Sequence, residues 1–353
     1  MKQYLIPCVV AFVLAFALIL GALSFFPRWK MMDRPWRYGL KRKPIPYYGG
    51  VVIFLAFVLS VLLFVKIDAH LVGLLVGGFL IAGVSFLDDK YSLSPWIRLV
   101  VQVLAALVLV AAGIGIHSIS NPLGPSINLD LLRWGFTLDR YYSVSVLSAL
   151  FTVIWIVTIV NAMNWADGLN GLPSGISVIA SLTLFMLSIR PGIHYDISSQ
   201  VPVAMISIIL FAVSFAFWLF DFHPAKILMG DTGSMFLGFL LASLAIFSGG
   251  KVATAFLVLG FPILDAFWVI ARRVLRGKSP LKGDKKHLHH RLLEVGLTER
   301  KALYLIYAVC AVFGLIAVFL EGIQKLYAIF LMLILMLVVG FLSVYYAKGV
   351  SRE

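Results

Sequence analysis

Apolar stretches of about 20 residues, the length of helix that crosses a bilayer, recur along almost the whole chain between short polar segments. This pattern predicts eleven membrane spans. They lie at residues 4–26, 49–66, 70–87, 97–115, 144–163, 173–189, 201–220, 234–249, 252–272, 302–320 and 325–347. We therefore expect an all-α, polytopic integral membrane protein in which residues 1–353 form a single membrane-embedded domain.

The composition agrees with that pattern. Hydrophobic residues make up 61% of the chain and charged residues 13%, whereas a typical soluble domain has about 25% charged residues. The first span could pass for a signal peptide, but its length and the basic segment after it favour a true span. Cys8 and Cys310 both lie in apolar runs, which indicates buried small side chains rather than a disulfide or a metal site.

The basic residues divide unevenly between the two faces. With the N-terminus outside and the C-terminus in the cytoplasm, 22 of the 29 Lys and Arg residues are cytoplasmic, in agreement with the positive-inside rule. Residues 271–301 then form a cytoplasmic histidine-containing loop, and residues 116–143 form an extracytoplasmic loop. Acidic, glycine and histidine residues also gather at the cytoplasmic edge, whereas a transporter usually needs ionisable groups near the bilayer midplane. The pattern favours a cytoplasm-facing enzyme that acts on a negatively charged substrate.

A pair of carboxylates ends the third predicted span. Asp88 and Asp89 are adjacent in FLDDKYSLSP, and they would repel each other unless a cation or a basic group lay between them. One interpretation is a pair that helps to hold a metal or accepts a proton. The other is a solvated helix end with Lys90 as the counter-charge, and this stretch alone leaves both open.

A third carboxylate begins the eighth predicted span. KILMGDTGSMFLGF places Asp231 between two glycines, just before a long apolar run. The first amides of that helix, at Thr232, Gly233 and Ser234, should lack partners and lie at the positive end of the helix dipole. They therefore predict an anion site. Asp231 could also act as a simple N-cap.

The loop after the fifth predicted span is rich in polar residues. In NAMNWADGLNGLPSG, Asn161, Asn164, Asp167 and Asn170 recur every three residues, so they would project from adjoining positions of a helical turn. The glycines, such as Gly168, would let the backbone approach a ligand closely. A connecting turn uses the same residue types, but the length and regularity of this one favour a binding function.

The largest inner loop carries a histidine cluster. His287, His289 and His290 lie beside Lys285 and Arg291. No cysteine is near, and three histidines this close rarely complete a tetrahedral zinc site alone. Clustered cationic and imidazole donors suit a phosphate or diphosphate better, with a basic helix lying on the membrane surface as the alternative.

The ninth predicted span contains two unusual residues in FPILDAFWVIARR. Pro262 is predicted to kink the helix. Asp265 would lie in its inner half, and we expect it to pair with a basic residue below it. Orientation of the histidine loop by Asp265 is the alternative.

Together these motifs, in this order and on this face, resemble those of the polyprenyl-phosphate N-acetylhexosamine-1-phosphate transferases of glycosyltransferase family 4. The resemblance covers nearly the whole chain, including RKPIPYYGG before the second span. It implies an enzyme that moves a sugar 1-phosphate from a UDP-sugar to a polyprenyl phosphate and releases UMP, with Mg²⁺ or alternatively Mn²⁺. The active site would lie on the cytoplasmic face of the plasma (inner) membrane.

The histidine loop points to one branch of that family. The phospho-MurNAc-pentapeptide translocases typically carry a Pro-Leu-His-His-His loop, whereas residues 287–291 here read His-Leu-His-His-Arg. The resemblance therefore implies UDP-GlcNAc as the donor and undecaprenyl phosphate as the acceptor, for the first lipid-linked intermediate of a cell-surface glycan. The translocase and a non-catalytic transporter or scaffold are the alternatives. Membrane lipid and a second copy in a homodimer are further expected partners, and nucleic acid is not.

The resemblance also implies residue roles. Asp88, Asp89 and Asp231 would be catalytic, with Asp88 as the candidate base for the lipid phosphate. Asp231, Asn164 and Asp167 would hold the metal. The implied substrate-binding residues are Lys43, Asn161, Asn164, Asp167, Gly168, Leu169, Asn170, Asp221, Ser234, His287, His289, His290 and Arg291. Asn170 stands where the family usually has aspartate, so it is a binding candidate only. Direct attack by the lipid phosphate and a covalent aspartyl intermediate both stay open.

Overall fold

The chain forms a bundle of helices. The structure is a computed structural model, and it describes residues 2–38, 42–119, 121, 124–137, 141–191, 200–248, 252–277 and 287–350. The α-helices in these ranges are α1 Lys2–Arg28, α2 Gly49–Phe64, α3 Ala69–Tyr91, α4 Pro95–Ala111, α5 Val146–Ala166, α6 Leu172–Ile189, α7 Val201–Asp221, α8 Gly230–Phe247, α9 Val252–Val258, α10 Gly260–Val274, α11 Leu288–Glu294, α12 Glu299–Phe319 and α13 Ile323–Val350.

Many of these helices are long and apolar enough to cross a membrane. In the described residues eight helices meet that criterion, namely α1, α3, α5, α6, α7, α8, α12 and α13. The helices α2 and α4 are apolar but shorter. The prediction of a polytopic helical membrane protein is therefore confirmed, while eleven separate crossings stay a prediction.

The segment predicted as a loop at 116–143 contains short strands, so the fold is not purely α-helical. Strand β1 (Ser118–Ile119) pairs antiparallel with β2 (Ile127–Asn128), and β3 (Arg133–Thr137) pairs antiparallel with β4 (Tyr141–Ser145). These hairpins connect the end of α4 to the start of α5.

The predicted ninth span is broken into α9 and α10. The prediction that Pro262 kinks this span is confirmed, and the interruption falls one turn before the proline, at Leu259. Proline has no N–H to bond the carbonyl four residues before it, and its ring clashes with that carbonyl. For Pro262 that carbonyl belongs to Val258, the residue at which α9 ends.

Helix α8 lies at the centre of the bundle and is almost wholly buried. It packs against α2, α3, α5 and α6. Two of these contacts depend on glycine. A Cβ atom on Gly50 of α2 would lie 2.1 Å from the backbone nitrogen of Gly233, and one on Gly238 would lie 3.0 Å from the Cα of Val160 in α5. Small residues let helix backbones approach this closely, so the start of α8 is held firmly between its neighbours.

Candidate active site

Asp231, in the first turn of α8, contacts residues from two other helices. Its Oδ1 atom accepts a hydrogen bond of 3.0 Å from Asn164 Nδ2 of α5, and its Oδ2 atom lies 3.2 Å from Arg98 Nη1 of α4. The Asn164 amide also donates to Ser234 Oγ at 3.2 Å. The Asp231 side chain keeps 32% of its surface exposed. The predicted residues Asn164, Asp231 and Ser234 are thus brought together at an accessible carboxylate.

Arg98 also binds the first aspartate of the adjacent pair. Its Nη1 atom lies 2.9 Å from Asp88 Oδ2, and Asp88 Oδ1 accepts a hydrogen bond of 2.6 Å from the Leu93 amide. Lys90, the counter-charge in one of the two interpretations, lies 5.0 Å from the centre of the Tyr91 ring. The guanidinium of Arg98, shared by Asp88 and Asp231, therefore offsets much of the repulsion between the carboxylates of α3 and α8.

The second aspartate of the pair has different partners. Asp89 accepts hydrogen bonds from the backbone amides of Asp231 and Thr232, at 2.9 and 3.0 Å, and from the hydroxyl groups of Thr232 and Tyr47, at 2.6 and 2.8 Å. We expected the first amides of α8 to be unpaired. This is wrong for Thr232, because its amide donates to the Asp89 carboxylate. Burial, and then the charge of Asp89, raises the pKa of Tyr47, so its hydroxyl stays protonated as a donor.

The loop after α5 faces the histidine segment. Asp167 follows the last residue of α5, and burial, followed by the charges of Asp221, Asp231 and nearby Asp89, raises its pKa well above the usual range. A Cβ atom on Gly168 would lie 2.4 Å from His289 Nε2. The Asn/Asp-Gly loop and the histidine segment, predicted separately, therefore form one wall.

The histidine segment is anchored to α10 by Asp265. Its Oδ2 atom lies 2.9 Å from His287 Nδ1, and its Oδ1 atom accepts a 2.7 Å hydrogen bond from the Leu288 amide at the start of α11. Asp265 and His287 are both buried. The preferred interpretation was a pair with a basic residue below Asp265. Among the described residues its partners are His287 and the Leu288 amide, so these contacts agree with the alternative, in which Asp265 orients the histidine loop.

His289 lies between the other two histidines. Its ring is stacked on His287 with centroids 5.7 Å apart, and His290 lies 4.2 Å away. His289 is fully buried, and neither ring nitrogen has a hydrogen-bond partner among the described residues. Burial, and then the charge of His290, lowers the pKa of His289 to about 3. At neutral pH this buried histidine is therefore uncharged.

Several other predicted residues are placed without a test of their role. Asp221 is buried, and its carboxylate accepts hydrogen bonds from the Gly171 amide at 3.1 Å and the Ser174 hydroxyl at 2.7 Å, which stabilises the start of α6. Asn161 donates to Gln102 Oε1 at 2.7 Å. The other predicted substrate-binding residues differ in exposure. Lys43 and Gly168 are exposed, Asn170 is partly buried, and Leu169 and Arg291 are buried. Their substrate roles stay predictions.

A cavity of about 250 Å³ opens beside the carboxylate cluster, between α4, α5 and α10. Its polar lining includes Arg98, Gln102, Asn161, Asn164 and Trp165. Its apolar lining comes from residues such as Val157, Phe267 and Ile270. The cavity thus has the two kinds of lining that a ligand with an anionic head and an apolar tail would need.

The donor set at Asp231 suits a hard cation. In the described ranges no group of three His, Cys, Asp or Glu side chains could by itself hold a metal ion. Mg²⁺ does not need one, because it is usually held by one or two carboxylates together with water and substrate phosphate oxygens. Asp231 supplies an accessible carboxylate and Asn164 an amide Oδ1 that accepts no hydrogen bond from the described residues. These oxygens fit Mg²⁺.

Sequence reasoning missed three contacting residues: Arg98, Tyr47 and Trp165. Arg98 carried a usable signal, because it is the single charged residue of α4, and a lone cation in an apolar helix suggests a functional site. Gln102, four residues later, lies on the same helix face. The sequence gives no comparable signal for Tyr47 and Trp165, since a tyrosine or tryptophan near the end of a span is common.

The sequence is similar to those of known proteins. The profile of glycosyl transferase family 4 matches residues 71–249, which include α3 to α8. The chain is 31% identical to the probable undecaprenyl-phosphate N-acetylglucosaminyl 1-phosphate transferase of Bacillus subtilis, over 96% of this chain and 93% of that protein. It is 33% identical to the decaprenyl-phosphate N-acetylglucosaminephosphotransferase of Mycobacterium tuberculosis, over 75% of this chain and 69% of that protein. It is also 32% identical to the phospho-N-acetylmuramoyl-pentapeptide-transferase of Endomicrobium trichonymphae, over 74% of this chain and 76% of that protein.

Proposed function

This chain belongs to glycosyl transferase family 4, and we propose that it transfers N-acetylglucosamine 1-phosphate from UDP-GlcNAc to undecaprenyl phosphate. UMP is the second product. The observation that carries this proposal is the cluster at the start of α8, where Asp231 contacts Asn164 and shares Arg98 with Asp88 beside an amphipathic cavity. Relatives named as N-acetylglucosamine phosphotransferases, one for undecaprenyl phosphate and one for decaprenyl phosphate, match most of the chain.

The reaction joins two anions. An oxygen of the lipid phosphate becomes bonded to the sugar-bearing phosphorus of UDP-GlcNAc, the bond from that phosphorus to UMP breaks, and UMP leaves with the electron pair. A phosphate monoester is largely ionised at neutral pH, since its second pKa is about 6. Each Asp88 oxygen already binds one partner, the Leu93 amide or the Arg98 guanidinium, and Asp88 is buried. These points support Asp88 as a residue that positions Arg98 rather than as a strong base.

The residues that would hold the metal are Asp231 and Asn164, with Asp167 nearby. When bound, Mg²⁺ supplies positive charge that stabilises the diphosphate and the leaving UMP. Asn164 fixes the orientation of Asp231 through a 3.0 Å hydrogen bond. Arg98, bound to Asp231 Oδ2 at 3.2 Å, would release this oxygen as it turns toward an incoming phosphate.

The two substrates would approach from different sides. The lipid phosphate would bind Arg98, with its chain in the cavity along Phe267 and Ile270. The nucleotide sugar would lie against the wall made by Gly168 and the histidine segment. Asp265, 2.9 Å from His287 Nδ1, would then orient the His287 ring toward the donor diphosphate.

We also propose the membrane arrangement that the basic residues predict. Helices α9 and α10 together would make the ninth of eleven crossings, with the N-terminus outside and the C-terminus in the cytoplasm. The cluster around Asp231 would then face the cytoplasm, where UDP-sugars are made. The ends of the helices support this arrangement. Helices α3 and α5 end, and helices α4 and α8 begin, on the side of the bundle where the cluster lies.

A donor comparison tests the function. Purified protein in detergent receives undecaprenyl phosphate, Mg²⁺ and one donor at a time: UDP-GlcNAc, UDP-GalNAc or UDP-MurNAc-pentapeptide. We expect UMP release with UDP-GlcNAc, and only when the lipid is present. Release with UDP-MurNAc-pentapeptide alone would assign the chain to the translocase reaction, and no release with any donor would contradict the proposal.

A further inference from the structure

Asp89 has no oxygen lone pair left for chemistry. A carboxylate offers about four acceptor positions, and the four donors on Asp89 come from Tyr47, Asp231 and twice from Thr232. We propose that Asp89 and Tyr47 are positioning residues that aim Asp231 at the metal, and that Asp89 is neither a base nor a metal ligand. This inference rests on the proposed function of Asp231.

The contacts of Asp89 show how it would fix the orientation of the Asp231 side chain. Asp89 Oδ1 holds the Asp231 amide at 2.9 Å, and Asp89 Oδ2 holds the Thr232 amide at 3.0 Å. The carboxylate thereby fixes the backbone of the first turn of α8, from which the Asp231 side chain projects. The same bonds place a negative charge at the positive end of the α8 dipole, which stabilises the helix start.

Gly230 explains why a glycine precedes Asp231. Its φ is +73°, a backbone angle that residues other than glycine rarely adopt, and a Cβ atom there would lie 2.8 Å from Asp89 Oδ2. A side chain would therefore push the carboxylate away from the α8 amides. The glycine before Asp231 thus leaves room for the Asp89 carboxylate.

Tyr47 reaches Asp89 from a segment that is itself tied to α8. The Leu228 amide donates to the Pro46 carbonyl at 2.9 Å, and the Gly49 and Gly50 amides donate to the carbonyls of Leu228 and Met229, both at 2.8 Å. This pairing carries the Tyr47 hydroxyl to Asp89 Oδ1 at 2.8 Å. RKPIPYYGG thus acts on the site through its tyrosine as well as through any phosphate contact of Lys43.

Metal binding without turnover tests the inference. Free Mn²⁺ is measured by electron paramagnetic resonance while it is titrated into purified protein with UDP-GlcNAc and no lipid acceptor. Tyr47→Phe removes one donor and keeps the ring. Tyr48→Phe is the matched control, because the Tyr48 ring packs against Tyr47 and Phe86, and its hydroxyl makes no hydrogen bond within the described residues.

We expect Tyr47→Phe to weaken Mn²⁺ binding several-fold and Asp89→Asn to weaken it by about tenfold or more, as is typical when a residue that orients a metal ligand is changed. Tyr48→Phe should match the wild type. At saturating Mg²⁺, Tyr47→Phe should recover most of its kcat. Thr232→Val, which removes a different donor to Asp89, should repeat the weakening if Tyr47→Phe does not fold.

Two results would overturn the inference. The first is Mn²⁺ binding that is equal in all variants while the wild type transfers the sugar phosphate. The second is an Asp89→Asn variant with normal Mn²⁺ binding and a kcat that excess Mg²⁺ does not restore, as a catalytic base would give. A wild type that neither binds Mn²⁺ nor releases UMP would instead contradict the proposed function itself.

Discussion

Arg98 is the residue that joins the buried carboxylate of Asp88 to the partly exposed carboxylate of Asp231. It lies 2.9 Å from Asp88 and 3.2 Å from Asp231, and its side chain is 27% exposed. In the proposed reaction it alternates between these carboxylates and the phosphate of the lipid. Removal of its charge would leave two carboxylates close together without a counter-charge.

We expect Arg98→Gln to lower kcat/KM for undecaprenyl phosphate by about 10- to 100-fold, because the lipid phosphate would lose a hydrogen bond to a charged group, which contributes about 1.5–3 kcal/mol. Arg133→Gln, in an exposed strand of the β3–β4 hairpin, is the matched control and should keep the wild-type value. Steady-state UMP release at varied lipid concentration measures both. An Arg98→Gln enzyme with wild-type kcat/KM would exclude Arg98 as the lipid-phosphate residue.

His289 should make stability depend on pH. Its pKa falls from about 6.5 in the unfolded chain to about 3 in the folded protein. The unfolded chain therefore gains a proton below about pH 6.5 that the folded protein does not. The stability that His289 contributes is fully present above pH 6.5 and is lost as the pH falls toward 3. The charges that face it are His287, His290 and Asp265.

The measurement is the unfolding temperature in detergent between pH 7 and pH 5. His289→Phe should show a smaller decrease over this range than the wild type. His70→Asn removes an exposed histidine near the start of α3 and should leave the wild-type slope unchanged. Equal slopes in all three proteins would mean that His289 is not buried as a neutral ring.

Individual site residues were predictable where the chemistry was local. Asp231 stood out because glycines flank it before an apolar run, and Asn164 because polar residues recur around it. The division of labour between Asp88 and Asp89 could not be read from the sequence. It depends on Arg98, ten residues after Asp88, and on Tyr47 and Thr232, far away along the chain.

At the scale of elements, α10 connects the membrane bundle to the histidine segment. Asp265 holds His287 with one oxygen and the first amide of α11 with the other. We expect Asp265→Asn to raise the KM for UDP-GlcNAc by about tenfold, since a hydrogen bond to a charged group contributes about 1.5–3 kcal/mol.

Asp130→Asn is the matched control for this change. Asp130 also pairs with a histidine, since its carboxylate lies 3.0 Å from His117 Nδ1, but that pair belongs to the hairpin region between α4 and α5. Kinetics at varied UDP-GlcNAc should show an unchanged KM for Asp130→Asn. If Asp265→Asn lowered kcat without any change in KM, Asp265 would act on the chemical step and not on donor binding.

The crossing of α2 and α8 is a second element-scale feature. We expect Gly50→Ala to destabilise the protein by roughly 1–3 kcal/mol, the usual cost of overpacking, because its Cβ would lie 2.1 Å from the Gly233 nitrogen. Gly21→Ala in α1 has no atom within 4 Å of the new Cβ and should be neutral or slightly stabilising. Thermal unfolding compares the two, and a Gly50→Ala protein as stable as Gly21→Ala would contradict the packing.

Element boundaries followed from the sequence wherever one helix crosses without interruption. The ninth predicted span shows the limit, because hydropathy is continuous through residues 252–272 and only the steric effect of Pro262 on Val258 divides it. The two hairpins were also beyond the hydropathy pattern. Their strands are two to five residues long, too short for an alternating pattern to emerge.

At the scale of the whole molecule, the bundle gathers the ends of helices that are distant in sequence around the start of α8. The cavity between α4, α5 and α10 leads from that cluster toward Phe267 and Ile270. A lipid phosphate could therefore reach Arg98 while its chain stays among apolar side chains. This geometry supports transfer to a lipid acceptor rather than to a soluble one.

The most direct measurement follows a ³²P label in the sugar-bearing phosphate of UDP-GlcNAc, with undecaprenyl phosphate, Mg²⁺ and purified protein. The account predicts that the label moves to the lipid fraction, with one unlabelled UMP released for each labelled lipid. Asp231→Asn should lose this transfer, whereas Asp130→Asn should keep it. Label that stayed in released UDP while GlcNAc reached the lipid would show transfer of the sugar alone, and it would contradict the account.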